Sequence, residues 1–173
     1  MNFKIEKAYL SDSVVLGGIL EGEGPLGKYL DYVSEFKHSS FENSEIAMLY
    51  QCIDMLLEKM NLRQENIDLA IGGELSNQLT TTSYTLRKLM ISLIGVYSAC
   101  STISLGIGLA SLLVGNHQLK NILVFTSSNN QSAERQFRNP VEYGGEKEAT
   151  QTFTATIACL LYTSPSPRDT ERS

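Results

Sequence analysis

Short apolar runs alternate with segments of helical periodicity from residue 13 onward, and this alternation restricts the fold more than any other feature. Parallel strands need a long crossover connection, usually a helix, so strand and helix in regular succession are typical of a parallel sheet. The sequence therefore predicts an α/β fold with a mainly parallel sheet. The predicted strands are residues 14–20, 67–72, 91–97, 121–127 and 152–158.

Three helices are predicted between these strands. Residues 44–60 carry apolar side chains at helical spacing behind Ser44, which is a suitable N-cap, and they predict a half-buried helix. Residues 81–89 predict a shorter helix, and residues 101–113 a third, built of small and apolar residues without any charge. A helix that is apolar all round is expected to be buried on every side, so residues 101–113 are the predicted core helix.

Composition excludes several classes of protein. The 173 residues are 42% hydrophobic, which is enough for one core, and 14 basic against 19 acidic residues without a basic cluster argue against a nucleic-acid partner. The longest apolar runs, 91–96 and 109–114, are much shorter than the about 20 residues of a membrane-spanning helix. We therefore expect no transmembrane segment and a chain that starts in the cytosol, since residues 1–10 have no signal-peptide core.

Cysteine and histidine are too sparse for a metal site. Three cysteines without C-x-x-C spacing indicate reduced thiols, and two histidines supply too few ligands for a His/Cys metal centre. No metal and no other cofactor is predicted.

The end of the chain has a different character. Residues 159–173, CLLYTSPSPRDTERS, resemble a translated sequencing adapter and hold two of the four prolines in a Ser/Thr-rich stretch. The alternative is a natural disordered terminus. We predict that residues 1–158 form one domain, that residues 159–173 are an artefactual disordered tail, and that the native sequence continues after residue 158.

Cys100 lies between a predicted strand and the predicted core helix. Unpaired backbone N–H groups and the positive end of the helix dipole would stabilise a thiolate there, which makes Cys100 a candidate nucleophile. The alternative is a small buried residue at the point where strand meets helix. A nucleophilic thiol normally needs a base, and His38 and His117 are both expected to lie on the surface.

Three stretches of the sequence resemble the stage V sporulation protein AD family, which has the thiolase-like fold. They are GGELSNQLTTTSYTLRKL (72–89), YSACST (97–102) and TSSNNQSAERQFRNPVEYGGEKEAT (126–150). The resemblance runs from about residue 24 to residue 158, and it implies the N-terminal half of a fold that consists of two similar halves. The half that supplies acid/base residues in condensing enzymes is then absent from this chain.

The resemblance also implies a function. Family membership implies a non-catalytic protein of spore formation that binds dipicolinic acid, alone or as its calcium chelate. The implied partners are the membrane subunits of the stage V sporulation channel. The implied location is peripheral, on the cytoplasmic face of the forespore inner membrane. Whether the protein forms a homodimer is left undecided by the resemblance. We therefore predict that Cys100 is not a catalytic nucleophile. The alternative is a thiolase or ketoacyl-synthase-like acyltransferase that uses Cys100 with a base from the missing half.

Three positions depart from the residues usual in the family. Asn129 stands where the family usually has His, Asn139 where it has Tyr, and Ser98 where it has Gly. A ring nitrogen is thus replaced by an amide at Asn129, and details of the pocket are expected to differ.

The ligand that the family implies suggests which residues would contact it. A dicarboxylate is well matched by guanidinium forks, and Arg135, Gln136 and Arg138 follow Asn129 closely in the sequence. Alternation along an extended loop would separate Arg135 from Arg138, so we predict that one arginine and Gln136 lie at the pocket mouth, with Cys100 at its floor. In the alternative, the arginines only hold the loop in shape by pairing with Glu134, Glu142 or Glu146.

Overall fold

The computed structural model describes residues 5, 7–76, 79–137 and 154–165. Within them, strands and helices alternate along the chain as the sequence predicts. The elements are β1 (Tyr9–Gly17), α1 (Ile19–Glu23), β2 (Tyr32–Val33), α2 (Phe41–Lys59), β3 (Leu69–Glu74), α3 (Thr80–Leu89), β4 (Leu93–Gly95), α4 (Thr102–Gly115), β5 (Ile122–Ser128), α5 (Asn130–Phe137) and β6 (Ile157–Ser164).

The six strands form one sheet in the order β2-β1-β6-β5-β3-β4. The pairs β1/β2, β3/β4 and β3/β5 are parallel, and β6 is antiparallel to both of its neighbours, β1 and β5. Five strands therefore point the same way, and the predicted α/β fold with a mainly parallel sheet is confirmed. Their carboxyl ends, together with the start of β6, form one edge of the sheet, called here the carboxyl edge.

One face of the sheet is covered by α2 and α3. The predicted cap of α2 is wrong by one turn: Ser40, not Ser44, is the N-cap, and its hydroxyl oxygen accepts the Asn43 N–H at 3.1 Å. Ser44 lies in the first turn, where its own hydroxyl donates to the Ser40 carbonyl. The core on this face is mostly aliphatic and includes three buried aromatic rings, those of Phe36, Phe125 and Tyr162. Its fully buried side chains include Met48, Leu49, Ile53, Leu56, Leu86, Phe125 and Leu160.

The other face is covered by α4 alone. Its buried residues recur every fourth position, at Thr102, Gly106, Ala110 and Val114, and pack on β3 and β5. A Cβ added at Gly106 would lie 2.7 Å from a Val124 methyl group, so the glycine permits the close approach of helix and strand. The expectation of burial on every side is wrong within this chain, because the outer side of α4 has no element packed on it in the described residues.

The last described strand corrects the prediction for the end of the chain. Residues 159–164 belong to β6, which lies between β1 and β5, and Leu160 is fully buried. Disorder from Cys159 onward is therefore wrong for these residues, because an apolar run rich in β-formers pairs on both sides before the Ser/Pro-rich stretch begins. The predicted boundary at residue 158 falls inside a strand, and residues 166–173 lie outside the described part of the chain.

None of the helices in the described residues is both long and apolar enough to cross a bilayer.

Candidate functional site

The carboxyl edge brings together the chain segments that carry the predicted site. Cys100 follows β4 and Asn129 follows β5, and these two strands lie on either side of β3. Ligand sites of open α/β sheets lie at this edge, because the loops that follow neighbouring parallel strands converge there. Cys100 and Asn129, two of the predicted site residues, therefore follow strands that end at the same edge of the sheet.

Cys100 lies on a tight turn of 3-10 geometry, Ala99–Ser101, that leads into α4. The Ser98 N–H donates to the Thr102 hydroxyl at 3.1 Å, and that hydroxyl donates to the Ala99 carbonyl at 2.9 Å. Ala99 has a φ of 45°, in the left-handed region, which allows the chain to reverse so sharply. The Cys100 side chain is exposed. The alternative of a buried thiol that fills the core is therefore wrong.

Neither histidine is placed as an obvious base for Cys100. Both His38 and His117 are exposed, as predicted. His117 follows the C-terminal end of α4, whereas Cys100 precedes its N-terminal end, and a helix of 14 residues is about 20 Å long. His117 is thus separated from the thiol by the whole helix.

Asn129 caps α5. Its side-chain oxygen accepts the N–H groups of Gln131 at 3.1 Å and Ser132 at 3.4 Å, and the residue is only 9% exposed. An amide oxygen is among the best N-cap acceptors, which gives this asparagine a structural reason to stand where the family usually has His.

Arg135 and Gln136 lie on a helix and not on an extended loop. The predicted alternation of side chains is therefore wrong, because residues 130–137 wind into α5 behind the Asn129 cap. Both side chains are exposed, and the Arg135 guanidinium carbon lies 5.3 Å from the centre of the Phe41 ring at the start of α2. This stacking ties α5 to α2. Arg138, Asn139, Glu142 and Glu146 lie outside the described residues.

The pairing of Arg135 with Glu134 is not what the structure shows. Glu134 is buried, and its carboxylate accepts the backbone N–H of Thr154 at 2.8 Å and the Thr154 hydroxyl at 2.9 Å. Glu134 therefore holds the segment that leads into β6 against α5.

Two buried carboxylates at the carboxyl edge, Glu45 and Glu74, were not predicted from the sequence. Glu74 ends β3 and caps α3: its oxygens accept the N–H groups of Thr81 at 3.2 Å and Thr82 at 3.1 Å, and also the Thr82 hydroxyl. Glu45 projects from α2 and accepts the Ser127 hydroxyl at 2.7 Å. Ser127 and Glu74 are register partners on neighbouring strands, so the two carboxylates lie close together.

Burial, with a smaller contribution from the nearby carboxylates of Glu74 and Glu42, raises the pKa of Glu45 to about 7, although the Ser127 hydroxyl and the backbone N–H of Asn129 lower it. A carboxyl group in this environment changes its charge near neutral pH. A signal for Glu45 exists in the sequence, because it precedes the buried Met48 and Leu49 by three and four residues and so shares their side of α2.

Comparison with known proteins gives one family. The model of the family described as stage V sporulation protein AD matches residues 1–170. Stage V sporulation protein AD of Bacillus subtilis is 37% identical over 164 residues, which are 93% of this chain and 48% of that protein. This chain thus spans about half the length of its curated relative.

Solved structures show the same fold at low identity. The 3-oxoacyl-[acyl-carrier-protein] synthase III of Aquifex aeolicus superposes with a TM-score of 0.64 at 16% identity, over 92% of this chain and 54% of that chain. A variant of OleA from Xanthomonas campestris superposes with a TM-score of 0.60 at 15% identity, over 92% of this chain and 59% of that chain. The predicted thiolase-like fold is thereby confirmed.

Proposed function

Because this chain belongs to the stage V sporulation protein AD family, we propose that it is part of a non-catalytic subunit that binds dipicolinic acid for a sporulation channel. The family match over residues 1–170 is the observation that carries the proposal. The family ties the chain to sporulation, and the ligand and the channel are the inferred part.

The helix termini at the carboxyl edge support an anionic ligand. The N-terminus of α3 is occupied by the Glu74 carboxylate, and that of α5 by the amide oxygen of Asn129. The N-terminus of α4 differs, because Ser101 makes no side-chain capping hydrogen bond and Cys100 beside it is exposed. Backbone N–H groups and the helix dipole favour negative charge at such a terminus, so we assign one carboxylate of the ligand to it.

The arginines of the predicted site divide into two roles under this proposal. Stacking on Phe41 gives Arg135 a structural task at the contact of α5 with α2. Arg138 is then the arginine that we assign to the second carboxylate, with Gln136 as an amide donor and Asn129 supporting both through its cap.

Calorimetric titration of dipicolinate into the full-length protein that carries these residues tests the assignment. Arg138→Ala should weaken binding roughly thirtyfold, because a charged bidentate contact is lost, whereas Arg135→Ala should change affinity little. Arg87→Ala, in the exposed last turn of α3, is the matched control and should bind as the parent does. Parent-like binding by all three variants would remove residues 135–138 from the site, and a parent that does not bind dipicolinate would refute the proposed function.

The proposal extends to partners and location. The protein would lie peripherally on the cytoplasmic face of the forespore membrane, in contact with membrane subunits of the channel, and would take dipicolinate alone or as its calcium chelate. Titrations with and without calcium separate the two ligand forms. Sedimentation of the full-length protein decides whether it is a homodimer.

The exposure of Cys100 favours one alternative, an acyltransferase. In that reaction the thiolate attacks the carbonyl carbon of an acyl thioester, the thiol of the donor leaves, and the acyl group stays on sulfur. Incubation of the full-length protein with acetyl-coenzyme A and intact mass spectrometry tests it. An added acetyl group that is absent in Cys100→Ala would establish the enzyme, and an unchanged mass supports the binding protein.

A further inference from the structure

Glu45 holds the point at which β5 ends and α5 begins. Its side chain comes from α2, is 2% exposed, and accepts the Ser127 hydroxyl at 2.7 Å. The backbone N–H of Asn129 faces the same carboxyl group and, like the Ser127 hydroxyl, favours its ionised form. Ser127 and Asn129 are the residues on either side of Ser128, the last residue of β5. One buried side chain therefore binds the Ser127 hydroxyl and lies beside the backbone of Asn129 at the β5–α5 junction.

Among the residues that the structure describes, the charged groups around Glu45 do not stabilise its ionised form. Glu42 of its own helix and Glu74 at the end of β3 are both carboxylates that disfavour its charge. From β5 and α5 the partners are the neutral Ser127 and Asn129, while Arg135 stacks on Phe41. The remaining groups of this region are engaged elsewhere, with Glu134 bound to Thr154 and the hydroxyl of Thr82 bound to Glu74.

We propose that Glu45 is a positioning residue of the carboxyl-edge site and that it takes up a proton when an anionic ligand binds there. The inference rests on the proposed function for the identity of the ligand. When Glu45 is ionised, it places a negative charge directly behind Asn129, where it opposes a dicarboxylate. When Glu45 takes a proton from solvent, the charge disappears and one of its oxygens still accepts hydrogen bonds from the junction.

The sign of the pH effect follows. The carboxyl groups of dipicolinate titrate well below neutral pH, so the ligand keeps its charge between pH 6 and pH 8 while Glu45 loses its proton. Affinity should therefore fall as pH rises through the pKa of Glu45, which is about 7. We expect roughly fivefold tighter binding at pH 6 than at pH 8, and net proton uptake on binding at pH 7.

Calorimetry of the full-length protein with dipicolinate, at pH 6, 7 and 8 and in two buffers of different ionisation enthalpy, measures both quantities. In Glu45→Gln the pH dependence and the proton uptake should disappear, because the amide keeps an acceptor oxygen without a titrating proton. Glu58→Gln is the matched control, an exposed acid near the other end of the same helix, and should keep both. Equal affinity at all pH values without proton uptake in the parent would overturn the proposal.

A measurement without ligand separates this inference from the proposed function. The backbone amide of Asn129 should shift in the NMR spectrum with a midpoint near the Glu45 pKa of about 7 in the parent and in Glu58→Gln, and not in Glu45→Gln. If dipicolinate fails to bind at every pH while this titration is seen, the proposed function is wrong and Glu45 stands as the proton-sensitive anchor of the junction. If the chemical shift of the Asn129 amide does not change with pH, the role of Glu45 is refuted, whether or not the ligand binds.

Discussion

The two faces of the sheet are built to different degrees of completeness. On the face covered by α2 and α3, side chains such as Leu49, Leu56 and Phe125 are at most 1% exposed, and two helices pack on the strands and on each other. On the opposite face α4 is the one helix among the described residues, and Leu105 and Leu112 on its outer side are 40% and 41% exposed. Within the described residues, the first face is a complete core and the outer side of the helix on the second face has no element packed on it.

The difference explains how one apolar helix can be both a core element and a surface element. The side of α4 that faces the strands is built from small residues, which allow close packing, while its outer side keeps leucines that a surface helix would normally replace with polar residues. The relative from Bacillus subtilis is about twice as long as the matched part, and the additional length is what we expect to cover this side.

The largest expected effect on stability is in β6, where two neighbouring residues point to opposite faces of the sheet. Leu160→Ala should destabilise the full-length protein by about 4 kcal/mol, because it empties a completely buried site against α2. Leu161→Ala, on the half-buried α4 face, should cost about 1 kcal/mol. Urea unfolding measures both, and equal costs would mean that the two faces do not differ as described.

The second prediction concerns the pH dependence of stability on the α2 side. The folded-state pKa of Glu45, about 7, lies above the ordinary glutamate value of 4.5, so the folded protein binds the proton more tightly than the unfolded chain. The stabilising contribution is complete below pH 4.5 and is lost as pH rises through about 7.

Relative to Glu45→Gln, the parent should therefore lose about 3 kcal/mol of unfolding free energy across this window. Urea unfolding at pH 5, 6, 7 and 8 measures the difference. Glu58→Gln, which changes an exposed acid near the other end of the same helix, should follow the parent. A difference that stays constant with pH would show that Glu45 does not titrate in the folded protein.

The third prediction tests the uncovered side of α4. The 173-residue chain should self-associate, and the double substitution Leu105→Ser and Leu112→Ser should weaken this association roughly tenfold or more, because two apolar contacts are lost. Analytical ultracentrifugation provides the measurement. Leu20→Ser with Leu26→Ser is the control, since these leucines are 78% and 68% exposed but lie outside α4. A parent chain that stays a monomer with cooperative unfolding would contradict the prediction.

The smallest effect on stability is expected at Asn129, between β5 and α5. Asn129→Ala should cost about 1 kcal/mol, because α5 loses its N-cap, while Asn129→Asp should retain most of the stability. Thermal unfolding of the two variants gives the comparison. If Asn129→Ala is as stable as the parent, the cap does not stabilise α5.

The existence of the strands was predictable because the local pattern of apolar residues determines it. The residues at which the strands end were less predictable. Residues 14–20 predict one strand, but β1 ends at Gly17 and the short helix α1 follows. The chain turns at Gly17, where a Cβ would lie 2.5 Å from a methyl group of Leu30. The helix α5 was overlooked, although Asn129 followed by good helix formers is an N-terminal signal, because the surrounding stretch is polar.

The site was only partly predictable for a different reason. The turn at Cys100 follows from the strand before it and the helix after it, which are neighbours in the sequence. Glu45 has its hydrogen-bond partner far away in the sequence, because Ser127 of β5 lies 82 positions later. The position of β6 between β1 and β5 likewise depends on pairing at long range, which no local pattern encodes.

The place of β6 in the sheet also has a consequence for the time at which the protein can fold. The antiparallel ladder pairs Tyr9 with Ser164 and Gly17 with Ile157. The strand β1 can therefore form this ladder only after residues 157–164 have been synthesised. Before β6 is synthesised, β1 and β2 have no sheet hydrogen bonds to β5, β3 and β4 in the described residues, although α2 packs on both groups, because β6 is the strand that joins them. Contacts of such high sequence separation slow folding, and the nascent chain carries an unpaired strand edge until the ribosome has passed residue 164.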